Sequence, residues 1–526
     1  MEIKKMEFTD KQIKDLVARR HPEYEKKKEH WDFLSSTYAG GRSWFNDNIF
    51  RYFKEGDQEF KERLERAYRF NHTREVVNLI NKYLFKEDIH RNQEEAPEQI
   101  RNFWKRATRQ NSSIDAFMAA IDLQSSIYGR IWVVVDSTMN GNVESIADEK
   151  QKDARAYAYW IAPQQLLDVA WDEDGNMLWA LIVEIARDDE DPFTSSGQEY
   201  QRYRLWTQNE WYLFREEMKK GAGRRQTKVV LEDCGEHNLG VVPVFPVDCI
   251  GESESPYFSP SLIDDIAYLD RAVANYLSNL DAIIQDQTFS QLAIPVQSLL
   301  PGDDNHTKVL EMGTKRVFTY DSEGGNQPFY LSPDPKQAQM IITTIKTVIN
   351  EIYHSVGVAG ERTKQDNAQG IDNSSGAAKM YDFQRVNSLL VTKAERLERA
   401  ERQMMLLAAK WMGIELDEDH SLIAYPESFD IRGLIDEFLV AEKLALLQAP
   451  DSVRRLQMEM LIEKVFPNIS EAMKKEFDKD LLKFPPKNDL NTLENKSVLT
   501  YHHGKAQESG QENPEGMGDS STQETE

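Results

Sequence analysis

The chain has 526 residues, a formal net charge of −25, 40% hydrophobic and 10% aromatic residues, and two cysteines, Cys234 and Cys249. A chain of this size buries more than one core, and its apolar content is that of an ordered protein. The charge excludes a protein that coats nucleic acid by neutralising phosphates, though not one past which nucleic acid slides, and two cysteines exclude a disulfide scaffold. The first residues hold no apolar signal core, and no apolar window reaches the ~18 residues a membrane span needs, so the sequence reads as soluble and made inside a cell.

Lys11–Leu34 carries Ile13, Leu16, Val17, Tyr24, Trp31 and Leu34, and Pro22 starts a second helix there. Ala39-Gly40-Gly41 is a break. Gln58–Phe85 reads as one helix, followed by helices at Glu98–Arg109 and Ile114–Tyr128. The texture changes at Gly129. Arg130–Asp136 is a β-branched run that predicts a buried strand. Short strands follow at Tyr157–Ile161, Leu166–Trp171, Met177–Ile185, Tyr203–Thr207, Glu210–Arg215 and Lys228–Leu231, with a hairpin turn at Asp172–Asn176. Helices first and strands second predict an α+β fold with an antiparallel sheet.

From Ser261 the pattern is helical again. Leu262, Ile266, Leu269, Val273, Tyr276, Leu280 and Ile283 step by alternating fours and threes, a single seam facing a partner helix. Asp264, Asp265, Asp270 and Asp281 lie mostly off it. Short strands at Ala293–Val296, Lys315–Tyr320 and Pro328–Leu331 precede a second helix that starts at Ser332–Pro335, with Ile341, Ile345, Val348, Ile352 and Val356 on one face. Gly357–Ser375 is polar. A long helix then runs to Trp411-Met412 and stops at Gly413, and its charged stretch Lys393–Arg402 predicts a solvated face. Leu422–Tyr425 is a candidate strand, and helices are expected at Leu434–Gln448, Ser452–Val465 and Ile469–Leu482. Lys487–Glu526 holds three basic and eight acidic residues and reads as disordered.

No motif here points to catalysis, a metal or a cofactor. Asp264 and Asp265 are adjacent on a helix and diverge by about 100°. The ten histidines are scattered without HxxxH or HExxH spacing. Gly221–Arg225 lacks Walker spacing and reads as a hairpin tip, and the absence of GxxxxGK[ST] argues against a packaging-motor enzyme.

Five elements in order resemble the portal proteins of tailed bacteriophages of the long-tailed type. They are His21–Tyr24 with Trp31 and Tyr38–Gly41; Tyr128-Gly129-Arg130 with the strand ending at Asp136; Asn238–Val244; Ser261–Ile266; and Ser375–Ala378. The resemblance spans roughly residues 15 to 430. It implies a wing, stem, clip and crown architecture, largely helical, with an antiparallel wing sheet and a small α/β clip. By it, 1–260 with the long helix 376–412 form the wing, 261–288 and 333–357 the stem, 289–332 the clip and 358–375 a tunnel loop. Residues 413–485 form the wing return and crown, and 486–526 the acidic tail.

The function implied is structural, without enzymatic activity or cofactor: a homo-oligomeric ring, usually of twelve, at one capsid vertex of the virion, assembled in the host cytoplasm. Double-stranded DNA passes non-specifically through its channel, and terminase, head–tail adaptor, capsid and scaffold proteins are its partners, with no membrane. The alternative is another virion component, such as an adaptor or minor head protein. Tunnel-loop candidates are Arg362, Lys364, Gln365, Asn367, Gln369 and Asn373. Docking candidates in the clip are Lys308, Lys315 and Arg316, and subunit-interface candidates in the stem are Leu262, Ile266, Leu269, Val273, Tyr276 and Leu280. Twelve copies at −25 each carry about −300, so such a channel repels phosphate. The loop offers Arg362 and Lys364 against Glu361, Asp366 and Asp372. It is close to neutral, and its Gln and Asn side chains form exchangeable contacts.

Overall fold

A computed structural model describes residues 8–138, 155–219, 226–250, 255–288, 291–295, 317–320, 327–331, 335–357, 376–416, 422–427 and 429, together with 450–465 and a few scattered residues up to 484. The expected helix 434–448, most of 469–482 and the acidic tail lie outside them, as does the turn 221–225. The chain divides into an N-terminal unit, Met1–Phe429, and a C-terminal unit, Asp430–Glu526.

The N-terminal unit opens with helices α1 (Asp10–Val17), α2 (Tyr24–Ala39), α3 (Trp44–Asn48), α4 (Asp57–Arg66) and α5 (His72–Leu84). Thr9 closes a capping box with Gln12 at the start of α1. The single helix expected over Gln58–Phe85 is in fact α4 and α5. Asn71 caps α5 by accepting the Arg74 N–H at 2.9 Å, and between the two helices Arg69 turns inward, bonds the Thr37 carbonyl and lies 3.9 Å over the Trp44 ring. That cap and that inward guanidinium end one helix and start another, although the apolar spacing runs on. Next come β1 (His90–Arg91), α6 (Glu98–Lys105) and α7 (Ile114–Tyr128).

The strand block also divides. β2 (Arg130–Ser137) sits between β3 (Ala156–Ile161) and β9 (Val244–Asp248), antiparallel to both. β4 (Leu166–Trp171), β5 (Met177–Arg187), β6 (Glu199–Thr207), β7 (Glu210–Lys219) and β8 (Gln226–Glu236) form a separate five-stranded antiparallel meander. β2 is apolar from Ile131 to Val135 because both its faces are buried there, in different cores. Ile131, Val133 and Val135 face the helical core made with α5, α6 and α7. Trp132 and Val134 face a second core made by the meander with α1 and α2. In β5 of the meander, Ala180, Leu181 and Ile182 are buried while Ile185 is exposed, so the strand is covered over its middle and open toward its end.

Downstream are α8 (Asp264–Thr288), β10 (Gln291–Pro295), β11 (Val317–Tyr320), β12 (Phe329–Leu331), α9 (Pro335–Ser355), α10 (Gly376–Trp411) and β13 (Ile423–Ala424). Gly413, at φ 66°, ends α10, and the Ile414 N–H reaches back to the Ala409 carbonyl at 2.9 Å, as a left-handed cap requires. β13 pairs with β1, not with either larger sheet. The C-terminal unit holds α11 (Asp451–Val465), where Arg455 donates to the Phe484 carbonyl at 3.2 Å. No described helix is long and apolar enough to cross a membrane.

Two imidazoles set an acid response. His21, stacked 3.9 Å from the Tyr257 ring, accepts the Glu23 N–H at Nδ1 (3.3 Å), and His237 accepts the Leu239 N–H at Nδ1 (3.3 Å). Both are held neutral, their pKa values lowered first of all by burial. Protons bind the unfolded chain more readily, so the stabilisation is complete above about pH 6.5 and is lost as pH falls through the depressed folded values. Thermal melts at falling pH should therefore weaken before the carboxylates titrate near pH ~4. The double variant His21→Gln/His237→Gln should flatten that limb, and an unchanged limb would refute the assignment.

Candidate functional site

The paired helices α8 and α9 are the element that the sequence pattern singles out. α8 is anchored at its start. The Ser261 N–H donates to Asp264 at 2.9 Å, and the Ser261 hydroxyl lies 2.9 and 2.8 Å from the Ser126 and Ile127 carbonyls at the end of α7. His30 Nε2 is 2.7 Å from Asp264. Asp264 is therefore a local cap and ion-pair partner, and Asp265 is exposed.

α8 and α9 form an antiparallel pair. β10 follows α8, β12 precedes α9, and the two strands pair antiparallel, with Gln291 opposite Leu331. At the other end, consecutive residues of α5 hold both helices. The Thr73 hydroxyl donates to Asp270 at 2.8 Å, and His72 Nδ1 lies 3.1 Å from the Tyr353 hydroxyl, which also donates to Glu75 at 2.5 Å. Leu262, Ile266 and Val273 are buried and Leu269, Tyr276 and Leu280 half-buried, all against the unit's own helical core, where Ile345 and Ile352 of α9 meet them. The opposite side of α9, including Thr343, Lys346, Thr347 and Asn350, is exposed.

Asp270 is not off the seam. It is fully buried, bonded to Thr73 and 3.7 Å from the Arg69 guanidinium. About two helical turns on, Ser278 receives Arg63 at 2.9 Å, and Arg63 makes a bidentate pair with Glu55 at 2.8 and 2.8 Å. That guanidinium lowers the Glu55 pKa.

The charged stretch of α10 differs from the solvated face expected. Lys393 and Glu401 are each 1% exposed. Lys393 Nζ is 2.8 Å from Asp122, 2.9 Å from Ser126 and 3.2 Å from Cys249. Burial alone lowers the lysine pKa, but the Asp122 carboxylate outweighs it and the net shift is upward, so Lys393 is an ammonium. Burial pushes the Cys249 thiol up and keeps it neutral. Glu401 takes Arg91 of β1 at 2.6 and 3.0 Å and the Tyr425 hydroxyl at 2.7 Å, while Arg91 also pairs with Asp115 at 2.6 Å. A signal was present in the sequence. Val386, Leu390, Leu397, Met404 and Ala408 make a stripe at three- and four-residue spacing, and Lys393 and Glu401 fall on it.

β10, β11 and β12 form a small mixed sheet with β10 at its centre, parallel to β11 and antiparallel to β12. Lys308, Lys315 and Arg316 lie outside the described residues, and so do Arg362, Lys364, Gln365, Asn367, Gln369 and Asn373. Among the described residues no three His, Cys, Asp or Glu side chains gather to hold a metal. The buried charges Asp270, Lys393 and Glu401 instead fix α8 and α10 to α5, α7 and β1.

The profile of the family "Phage portal protein, SPP1 Gp6-like" matches residues 20–421. No curated protein matches the chain. Among solved structures, a chain in the neck of an empty GTA particle computed with C6 symmetry is similar at 12% identity and TM-score 0.39, covering 73% of this chain and 89% of that one. A chain from the virion of a native gene transfer agent particle is 10% identical at TM-score 0.39, with 81% and 98% covered. One from the native neck computed with C12 symmetry is 11% identical at TM-score 0.38, with 74% and 89% covered.

Proposed function

Because this chain belongs to the SPP1 Gp6-like family of phage portal proteins, we propose that copies of it close into a ring at a capsid vertex of the virion and enclose a channel for DNA. The family match over residues 20–421 carries this reading. The role is structural. In the proposed ring α8 and α9 are the stem, β10 to β12 with the segments between them are the clip that meets the packaging terminase and the head–tail adaptor, and 358–375 faces DNA. Two helices that are antiparallel, anchored at one end to α5 and carrying a small sheet at the other, suit such a stem. An interface between unlike surfaces closes when its rotation completes a circle, and we take twelve copies as the expected number.

The seam residues of α8 serve the subunit's own core, so charge placed there damages folding along with assembly. Leu269→Asp and Tyr276→Asp are expected to lower the melting temperature as well as abolish rings. Deleting 361–372 instead should leave rings intact and impair DNA packaging or retention. Loss of the rings in that deletion would contradict the place given to the loop.

A further inference from the structure

We propose that the aromatic strap between α3 and α4, residues 49–56, is the contact through which each copy grips α9 of the next copy in the ring. This rests on the ring reading above.

The strap exposes three large apolar side chains: Phe50 is 58% exposed, Tyr52 58% and Phe53 80%. Such a group on an ordered segment marks an interaction surface. The strap is also held rigid. Arg63, 6% exposed, bonds Glu55 with both arms of its guanidinium and donates to the Phe50 carbonyl at 2.8 Å. Arg51 donates to the Glu55 carbonyl at 2.9 Å, and the Tyr52 N–H donates to the Glu55 carboxylate at 3.2 Å. The strap is fastened to the stem at Asn275 of α8, which accepts the Phe50 N–H at 2.9 Å and donates to the Asn48 carbonyl at 2.9 Å. A buried charged pair is therefore used to hold three aromatics out in solvent, and a surface ordered before it binds loses little entropy on binding.

The geometry of a ring selects what they meet. Rotation about a ring axis preserves height, so a strap fastened to the stem at one level meets the next copy at that level. Asp270 and Tyr353 are tied to neighbouring residues of α5, Gln291 pairs with Leu331 at the other end, and nearly equal numbers of residues, 21 and 22, separate these points along the two arms. By that register Asn275 is level with Val348. Around Val348 the exposed side of α9 carries Thr343, Lys346, Thr347 and Glu351, with Ile342 at its edge.

The chemistry is complementary. Lys346 can sit over the electron-rich ring faces, Glu351 can meet Arg51 and Lys54 on the strap, and the Ile342 and threonine methyls offer apolar area. A second copy of this chain is therefore the occupant.

The test uses the full-length chain with Cys234→Ser, since Cys249 is buried. Phe53→Cys with Thr347→Cys should give, on mild oxidation, a ladder of covalent multimers up to the ring in denaturing gels. Neither single-cysteine variant should do so. Phe50→Ser/Tyr52→Ser/Phe53→Ser should keep its circular dichroism and melting temperature, yet need at least ~10-fold more protein to form rings. Wild-type rings with no ladder and unimpaired assembly of the triple variant would overturn the inference and leave the ring standing. A wild-type chain that forms no rings would overturn both.

Discussion

Lys393→Ala is expected to destabilise the N-terminal unit by about 3–5 kcal/mol, because it leaves a buried carboxylate without its cation. Asp122 and Lys393 are each 1% exposed and 2.8 Å apart. With the lysine gone, Asp122 keeps only the Asn81 amide on its other oxygen, at 2.8 Å. The attraction between the two groups does not by itself make the pair stabilising, since desolvating both costs a comparable amount. The double variant Asp122→Leu/Lys393→Met should therefore fall within about 1.5 kcal/mol of the wild type, as volume-conserving apolar exchanges do. Urea midpoints at constant m measure both. A single-variant loss below ~1 kcal/mol would mean that water reaches the site and the pair is not dry. Because the ammonium comes from α10 and the carboxylate from α7, the loss should loosen the long helix from the helical core.

Gly129→Ala should have the second large effect, a loss of at least ~4 kcal/mol or a failure to fold. Gly129 joins α7 to β2 at φ 82°, and a Cβ there would lie 2.0 Å from the Ser259 carbonyl oxygen and 2.6 Å from the Pro260 carbonyl carbon. Both neighbours are backbone and cannot swing aside. The same chain segment leads into α8, and Ser261 is already bonded to the end of α7. Any added atom must then displace the start of α8. Gly175→Ala and Gly240→Ala are the controls. Their φ values are 83° and 71° with nothing within 4 Å of the added carbon, so only the left-handed backbone penalty of about 1–2 kcal/mol applies. If all three variants melt alike, the close approach at Gly129 is not what constrains it.

These two sites show how far a one-dimensional pattern reaches. β2 was legible as a buried strand because an unbroken β-branched run has few other uses. The seam of α8 was legible because its spacing is uninterrupted, and the stop of α10 because Gly413 is a left-handed cap. The split between α4 and α5 was hidden because its cause is a long-range contact, Arg69 turned inward to Thr37 and Trp44. Lys393 and Glu401 were assigned to solvent on their charge, although their phase on the helix says otherwise. The compensating partners come from α7 and β1, far away in sequence. Asp270 failed for the same reason. The division of the strands into two sheets depends on which face of β2 each neighbour covers, and strand spacing alone does not carry that. The resemblance read from five short elements agrees with the family match.

Copies of this chain should close into a ring. Negative-stain class averages of the purified full-length chain test it most directly. Closed rings with a central hole and rotational symmetry are the predicted result. Monomers or open filaments at assembly concentrations would contradict it.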